Sequence, residues 1–321
     1  MITNKKGEER KMKKILVLIS LLSLGFVVNA QQELLLSQQF YSRINKNPAG
    51  IGNVEDVDLF LLGHFQYAGM EDAPKTFLAN AHTFVDKWNS GIGLSVSYDH
   101  LGIARGFTNV KADYSYGLRW RDDMLVSFGL GFGVLVSHFD LNKYKVESEA
   151  ELSEDFMPDD ENETRPDMDF GVEFIMKENL LVGASVTHLI SGKTSTFVPG
   201  QHIYLYGRYL FKVDEKWDVA PMLTYMHHKK VNLLEVNVTG FYDRFIWAGL
   251  TWHPDMSSGF KSNPLAITLG AEYKRFRLGY TFDIGIGRIH NIAATSHEVM
   301  LSYSLERKKT ATAVYGGDFF E

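Results

Sequence analysis

From about residue 55 onward, the chain reads as short stretches in which apolar and polar residues alternate, joined by connections that are in turn tight and long. Alternation with a period of two describes a strand with one apolar and one polar face. In Phe276 to Asp283, Phe276, Leu278, Tyr280 and Phe282 share one face, and Arg277, Gly279, Thr281 and Asp283 share the other. Between Met124 and Val136, Val126, Phe128, Leu130, Phe132 and Val134 stand opposite Ser127, Gly129, Gly131 and Gly133. Gly91 to Asp99 alternates in the same way. A soluble sandwich would bury such faces against each other, and the Gly, Ser and Thr-rich face would fill its core poorly. An apolar face toward lipid and a polar face toward a roomy lumen suit both halves of the pattern.

The expected fold is therefore an all-β, transmembrane antiparallel barrel of about 14 strands. The strands are placed near 57–65, 75–84, 91–99, 108–119, 123–139, 167–176, 180–190, 202–210, 217–226, 232–242, 245–253, 265–273, 276–283 and 298–305. An even number suits a single-chain bacterial barrel. Tight turns fall at Trp120 to Asp122, Lys177 to Asn179, Asp243-Arg244 and Lys274-Arg275, with longer connections between them, the longest at 140–166. Tight turns on the periplasmic side place both chain ends there. Tyr67, Tyr98, Trp120, Tyr209, Trp217, Trp247, Trp252 and Tyr280 lie near strand ends, as aromatic girdles require, Trp247 being the weakest member.

Outside the strands, the start of the chain carries an export signal. Lys13 and Lys14 precede an apolar stretch from Ile15 to Val28, and Val28-Asn29-Ala30 ends it, so cleavage is expected between Ala30 and Gln31. The expected organisation is an extension and cleaved signal at 1–30, a periplasmic arm or plug at 31–55, a barrel at 56–305 and a tail at 306–321. Nothing later reaches the roughly 18 apolar residues of a membrane helix. A net charge of −6 with scattered basic residues offers no footprint for nucleic acid, and the absence of cysteine rules out disulfides and thiolate chemistry.

Candidate chemistry is sparse. The 140–166 connection carries Glu147, Glu149, Glu151, Glu154, Asp155, Asp159, Asp160, Glu161 and Glu163. Such a run stays solvated, and its carboxylates suit calcium, although the spacing matches no EF-hand. No other cofactor is expected. His227-His228-Lys229-Lys230 is read as an outer loop, a weak candidate for a metal or for lipopolysaccharide phosphate. No nucleophile motif or paired-acid constellation marks an enzyme. Glu298 beside His297 is the most tempting pair, yet adjacent strand residues face opposite ways. Asp99, Arg277, Asp283 and Glu298 are expected to form a charge-paired lumen.

Several short motifs occur in an order that carries a resemblance. These are Ser37-Gln38-Gln39-Phe40, Asn47-Pro48-Ala49-Gly50, Gln66-Tyr67-Ala68-Gly69, Ala73-Pro74-Lys75-Thr76, Gly93-Leu94-Ser95-Val96 and Asp99-His100-Leu101-Gly102. Further on come Asp169-Phe170-Gly171, Val182 to Leu189, Leu278 to Asp283 and Ser296 to Tyr303. Together they resemble the PorP/SprF family of type IX secretion system outer-membrane proteins over nearly all of the mature chain. The chain departs from the family pattern in its shortened Asn47-Pro48-Ala49-Gly50 and in Tyr67, where the family has Trp.

The resemblance implies a non-enzymatic barrel in the bacterial outer membrane that aids secretion or surface anchoring of a cargo protein, in some members linked to gliding motility. Type IX components would meet its periplasmic face and the cargo its outer loops. Within that picture, Asn47 and Pro48, in the candidate stretch Asn47, Pro48, Ala49 and Gly50, are read as a fixed turn leading into the barrel. Ala73, Pro74, Lys75 and Thr76 form the return of the first outer loop. Both motifs are candidates for partner contact or structure. An outer-membrane channel for small hydrophobic or polar solutes, plugged by 31–55, is the alternative.

Overall fold

The computed structural model describes residues 36–38, 41, 43–54, 56–70, 72–102, 105–121, 123–139, 162–177, 179–190, 199–229, 231–254, 256, 264–285 and 295–307. The signal region with Ala30 and Gln31, the acidic stretch 140–161 and the tail from 308 lie outside these residues.

The strands are β1 (Val57–Phe65), β2 (Lys75–Val85), β3 (Ser90–His100), β4 (Arg105–Arg121), β5 (Met124–Phe139), β6 (Glu163–Met176), β7 (Leu180–Thr187), β8 (His202–Tyr209), β9 (Phe211–Lys212), β10 (Trp217–His228), β11 (Val231–Tyr242), β12 (Ile246–Trp252), β13 (Leu265–Tyr273), β14 (Phe276–Ile284) and β15 (Thr295–Leu305). Neighbours in sequence pair antiparallel, and β1 also pairs with β15, Val57 opposite Leu305 and Phe65 opposite His297, so the sheet closes on itself. Closure leaves no free edge.

The two-residue β9 continues β8 in the same register along β10. That register sets Pro221 across from Tyr209, and proline has no N–H to give to the ladder. Leu210 instead pairs with Asn179 on the other side, its N–H donating to the Asn179 carbonyl at 2.8 Å and its carbonyl accepting from Asn179 Nδ2 at 3.0 Å. Counting β8 and β9 as one interrupted strand gives a closed fourteen-stranded barrel.

Alternation decides the faces. Phe128, Leu130, Phe132 and Val134 of β5, and Phe276, Leu278 and Tyr280 of β14, stand on the outer wall, while Ser127, Arg277 and Thr281 are buried inside. Tyr98, Trp120, Tyr209, Trp217, Trp252 and Tyr280 are exposed, as girdle residues should be. Tyr67 is half-buried, and Trp247 is only 2% exposed. Pairing sets it beside Phe241 and Gly270 on the inner face, and the missing Cβ of Gly270 makes room for the indole. Register parity therefore removes Trp247 from the girdle.

The tight turns follow local chemistry. Asp243 and Arg244 both take positive φ, and Phe245 N–H donates to the Tyr242 carbonyl at 3.0 Å, a geometry whose twist suits a two-residue hairpin. Differences from the expected strands lie mainly at the long-connection end. There β6 starts at Glu163 and pairs Arg165 with Leu135 and Pro166 with Val134. Beyond the lipid belt a strand need not alternate, so Glu163-Thr164-Arg165 gives no periodic signal. The expected loop at His227-His228 is the end of β10, where the two imidazoles face opposite sides.

Candidate functional site: the filled lumen

An open barrel would leave its inner wall wet. Here Glu298 and Thr281 of the wall are fully buried, where Ser37 and Gln38 of the chain ahead of β1 bond to them. The described residues between Leu36 and Val54 make their contacts with inward-facing residues of the strands.

The path can be followed by depth. Nearest β1, the Ile51 carbonyl accepts from Ser115 Oγ at 2.5 Å, and Gly52 N–H donates to His82 Nδ1 at 3.1 Å. At mid-height, two 3₁₀ turns, Arg43–Asn45 and Pro48–Gly50, flank Asn47. Asn47 Oδ1 accepts from Ala49 N–H at 2.9 Å and caps the second turn, with Pro48 at its first position. Its Nδ2 reaches Tyr206 Oη at 2.9 Å, the Val172 carbonyl at 3.1 Å and the Ala184 carbonyl at 3.3 Å. Tyr206 donates in turn to Glu173 at 2.5 Å, and Arg43 lies 3.3 Å from the same carboxylate. The Lys46 carbonyl accepts from Ser185 Oγ at 2.6 Å.

Toward the long-connection end, Glu298 accepts from both Ser37 N–H at 3.0 Å and Gln38 N–H at 2.7 Å. Ser37 Oγ donates to Asp283 at 3.1 Å and pairs with His253 Nε2 at 3.2 Å, and Gln38 Nε2 donates to Thr281 at 3.0 Å. Tyr41 packs on Trp247 at 5.0 Å between ring centroids and lies under the Arg277 guanidinium at 5.8 Å. The buried chain thus rises from the tight-turn end at Val54 to the outer part of the lumen at Ser37.

The inward glycines explain how a chain fits here. A Cβ at Gly129 would overlap the Ala49 backbone, one at Gly171 the Asn47 amide, and one at Gly91 the Ile51 carbonyl. At Gly279 it would press on the Gln38 amide. The room left by the small inward residues is a moulded seat for described residues between Gln38 and Ile51.

The quoted candidates separate. Asn47, Pro48, Ala49 and Gly50 sit together in the seat, wedged against β5 and β6. Ala73, Pro74, Lys75 and Thr76 lie away from them at the return into β2. There the Pro74 carbonyl accepts from Gln66 N–H at 3.0 Å and Thr76 Oγ1 donates to Asp99 at 2.6 Å. Asp99, Arg277, Asp283 and Glu298 belong to paired networks: Arg277 bonds Glu272 at 2.8 Å, and His64 stands 3.5 Å from Asp283. His297 faces outward, bonded to Tyr280 at 2.7 Å, so it shares no site with Glu298.

Sequence reasoning missed a cluster in the upper wall. Asp167 and Asp169 of β6 meet His188 just past β7, the His188 ring lying 2.9 Å from Asp167 Oδ2. Lys111 of β4 pairs with Asp169, and Asn109 donates to Asp167 at 2.7 Å. These β4 and β6 side chains meet across β5 because Gly131 and Gly133 stand between them. The spacing of inward glycines in β5 was the available signal.

At the tight-turn end, Arg275 pairs with Asp56 at 3.2 Å and Glu306 at 2.9 Å, and Arg307 pairs with Asp86 at 2.8 Å. The chain on either side of the barrel is thereby tied to the same rim.

Solved structures of similar shape are outer-membrane barrels. The P. putida toluene transporter TodX aligns at a TM-score of 0.51 and 9% identity, covering 82% of this chain and 93% of that one. The CymD monoaromatic hydrocarbon channel aligns at 0.53 and 9%, covering 83% and 93%. Omp33 of Acinetobacter baumannii aligns at 0.49 and 9%, covering 79% and 100%. At these identities the likeness concerns fold alone. No curated protein matches the sequence. The family described as type IX secretion system membrane protein PorP/SprF matches over residues 28–303. With the closed fourteen-stranded barrel, that match makes the chain a multi-pass outer-membrane β-barrel belonging to the PorP/SprF family of type IX secretion system membrane proteins.

Proposed function

We propose that this protein is a non-enzymatic, plugged barrel that works through protein contacts. In this reading it holds a secreted cargo protein at the outer membrane by its outer loops, with type IX components at the periplasmic rim. The observation that carries the reading is the filled lumen. Described residues between Leu36 and Val54 bond to strands on opposite sides of the barrel, from Glu298 to Glu173. Family membership supports a role in type IX secretion. Surface retention of a particular cargo, and any link to gliding, are our extension of it.

The test is crosslinking in intact outer membranes, with mass spectrometry of what is attached, beside conductance of the purified barrel in planar bilayers. Recovery of type IX components or one dominant surface protein, with a barrel that conducts poorly, is the expected result. A freely conducting barrel with no specific partner would overturn the proposal in favour of a solute channel.

A further inference from the structure

The proposed function makes no use of the cluster of Asp167, Asp169 and His188, although it unites two motifs singled out in the sequence, Asp169-Phe170-Gly171 and the Thr187-His188-Leu189 end of another. Each of the three offers a ligand atom, and these atoms all lie within 4.8 Å of one another. Both aspartates are essentially buried, at 0% and 2% exposure.

Two further oxygens are in place. Asn109, 5% exposed, gives its Nδ2 to Asp167 while its Oδ1 accepts no hydrogen bond. Thr187, 4% exposed, has a buried Oγ1 with no hydrogen-bond partner, and the β6–β7 register brings it level with Asp169. Buried polar atoms left unbonded cost stability unless something fills the site. Charge points the same way: Asp113, Asp167 and Asp169 face the Lys111 ammonium and the His188 imidazole, three carboxylates to one permanent cation.

We infer that Asp167, Asp169 and His188, with Asn109 Oδ1 and Thr187 Oγ1, form a divalent-cation site in the upper wall of the barrel. One imidazole among carboxylate, amide and hydroxyl oxygens suits Mn²⁺ or Zn²⁺ ahead of Ca²⁺, which prefers oxygen alone. Lys111 holds Asp169 in the metal-free arrangement. Asp113, two residues along the same face of β4, is its alternative partner when a cation takes Asp169. A bound ion would tie β4, β6 and β7 together at the roots of the longest outer connection. The inference stands independently of the cargo-holding reading.

The test uses the full chain, purified in detergent and stripped with EDTA, then titrated calorimetrically with Mn²⁺ and with Zn²⁺, with bound metal counted by elemental analysis. One ion per chain is expected, with affinity lowered roughly tenfold or more in His188→Gln and in Asp167→Asn. Changing Glu149, Glu151 and Glu154 together to Gln should leave binding intact. Should the site variants fail to fold, Cu²⁺ on the wild-type barrel should show coupling to one nitrogen in its electron paramagnetic resonance spectrum. No stoichiometric ion, binding unchanged in His188→Gln, binding lost with the loop glutamates, or a Cu²⁺ spectrum without nitrogen coupling would each overturn the inference.

Discussion

Replacing Asn47 with Ala should loosen the segment that fills the lumen. Asn47 Oδ1 holds the Ala49 N–H at 2.9 Å, and Nδ2 spans Tyr206 Oη, the Val172 carbonyl and the Ala184 carbonyl at 2.9 to 3.3 Å. An amide has two N–H bonds for those three acceptors, so the side chain supplies about three hydrogen bonds, worth about 1 kcal/mol each. The orphaned Ala49 N–H adds to the loss, since Ala49 is itself buried. A destabilisation of about 3 kcal/mol or more raises the opening equilibrium about 150-fold, at 1.36 kcal/mol per decade. The chain has no cysteine, so Ile51→Cys, buried in the same segment, is a clean reporter. Its labelling by a water-soluble maleimide should accelerate about a hundredfold when Asn47→Ala is added, while the strands still form a heat-resistant barrel. Asn47→Asp keeps the acceptor for Ala49 but sets a buried carboxylate against the Val172 and Ala184 carbonyls, so it should label at least as fast as Asn47→Ala. Equal labelling rates with and without Asn47→Ala would refute the view that this side chain anchors the seat.

Two other outcomes follow from the same geometry. Gly171→Val places carbon where the Asn47 amide sits and should raise ion conductance in planar bilayers, whereas Gly240→Ala, which adds its Cβ to open space, should leave conductance unchanged. In single-tryptophan variants reconstituted with brominated lipid, Trp252 and Trp217 fluorescence should be strongly quenched and Trp247 fluorescence spared; strong quenching of Trp247 would place it on the lipid face and contradict the register.

The strands were legible because each crosses between lipid and lumen, and that crossing imposes a period of two on every one of them. Phe276 to Asp283 shows it in the sequence and keeps it in β14. The pattern faded where the chain leaves the hydrocarbon. Glu163-Thr164-Arg165 has no apolar face, and it is strand because β5 offers it a ladder. Trp247 was misplaced for a related reason: an aromatic near a strand end suits either face, and only the pairing with Phe241 and Gly270 selects the inner one.

The candidate site was legible in part. Asn47-Pro48-Ala49-Gly50 announces a capped turn, since Asn favours the cap and Pro the first position of the turn. Its location was hidden, because Val172, Ala184 and Tyr206 stand more than a hundred residues away. The cluster of Asn109, Lys111, Asp167, Asp169 and His188 was hidden in the same way, being assembled across β5 by the absence of side chains at Gly131 and Gly133.

By itself, then, the sequence determined the barrel and its strand order, since these rest on local alternation and turn chemistry, each contained within a few neighbouring residues. Only the tertiary structure decided what the lumen holds. Closing the sheet brings distant strands round a common axis, and the inward glycines, silent as single residues, become a surface shaped to Gln38, Asn47, Ala49 and Ile51 only when the wall is complete.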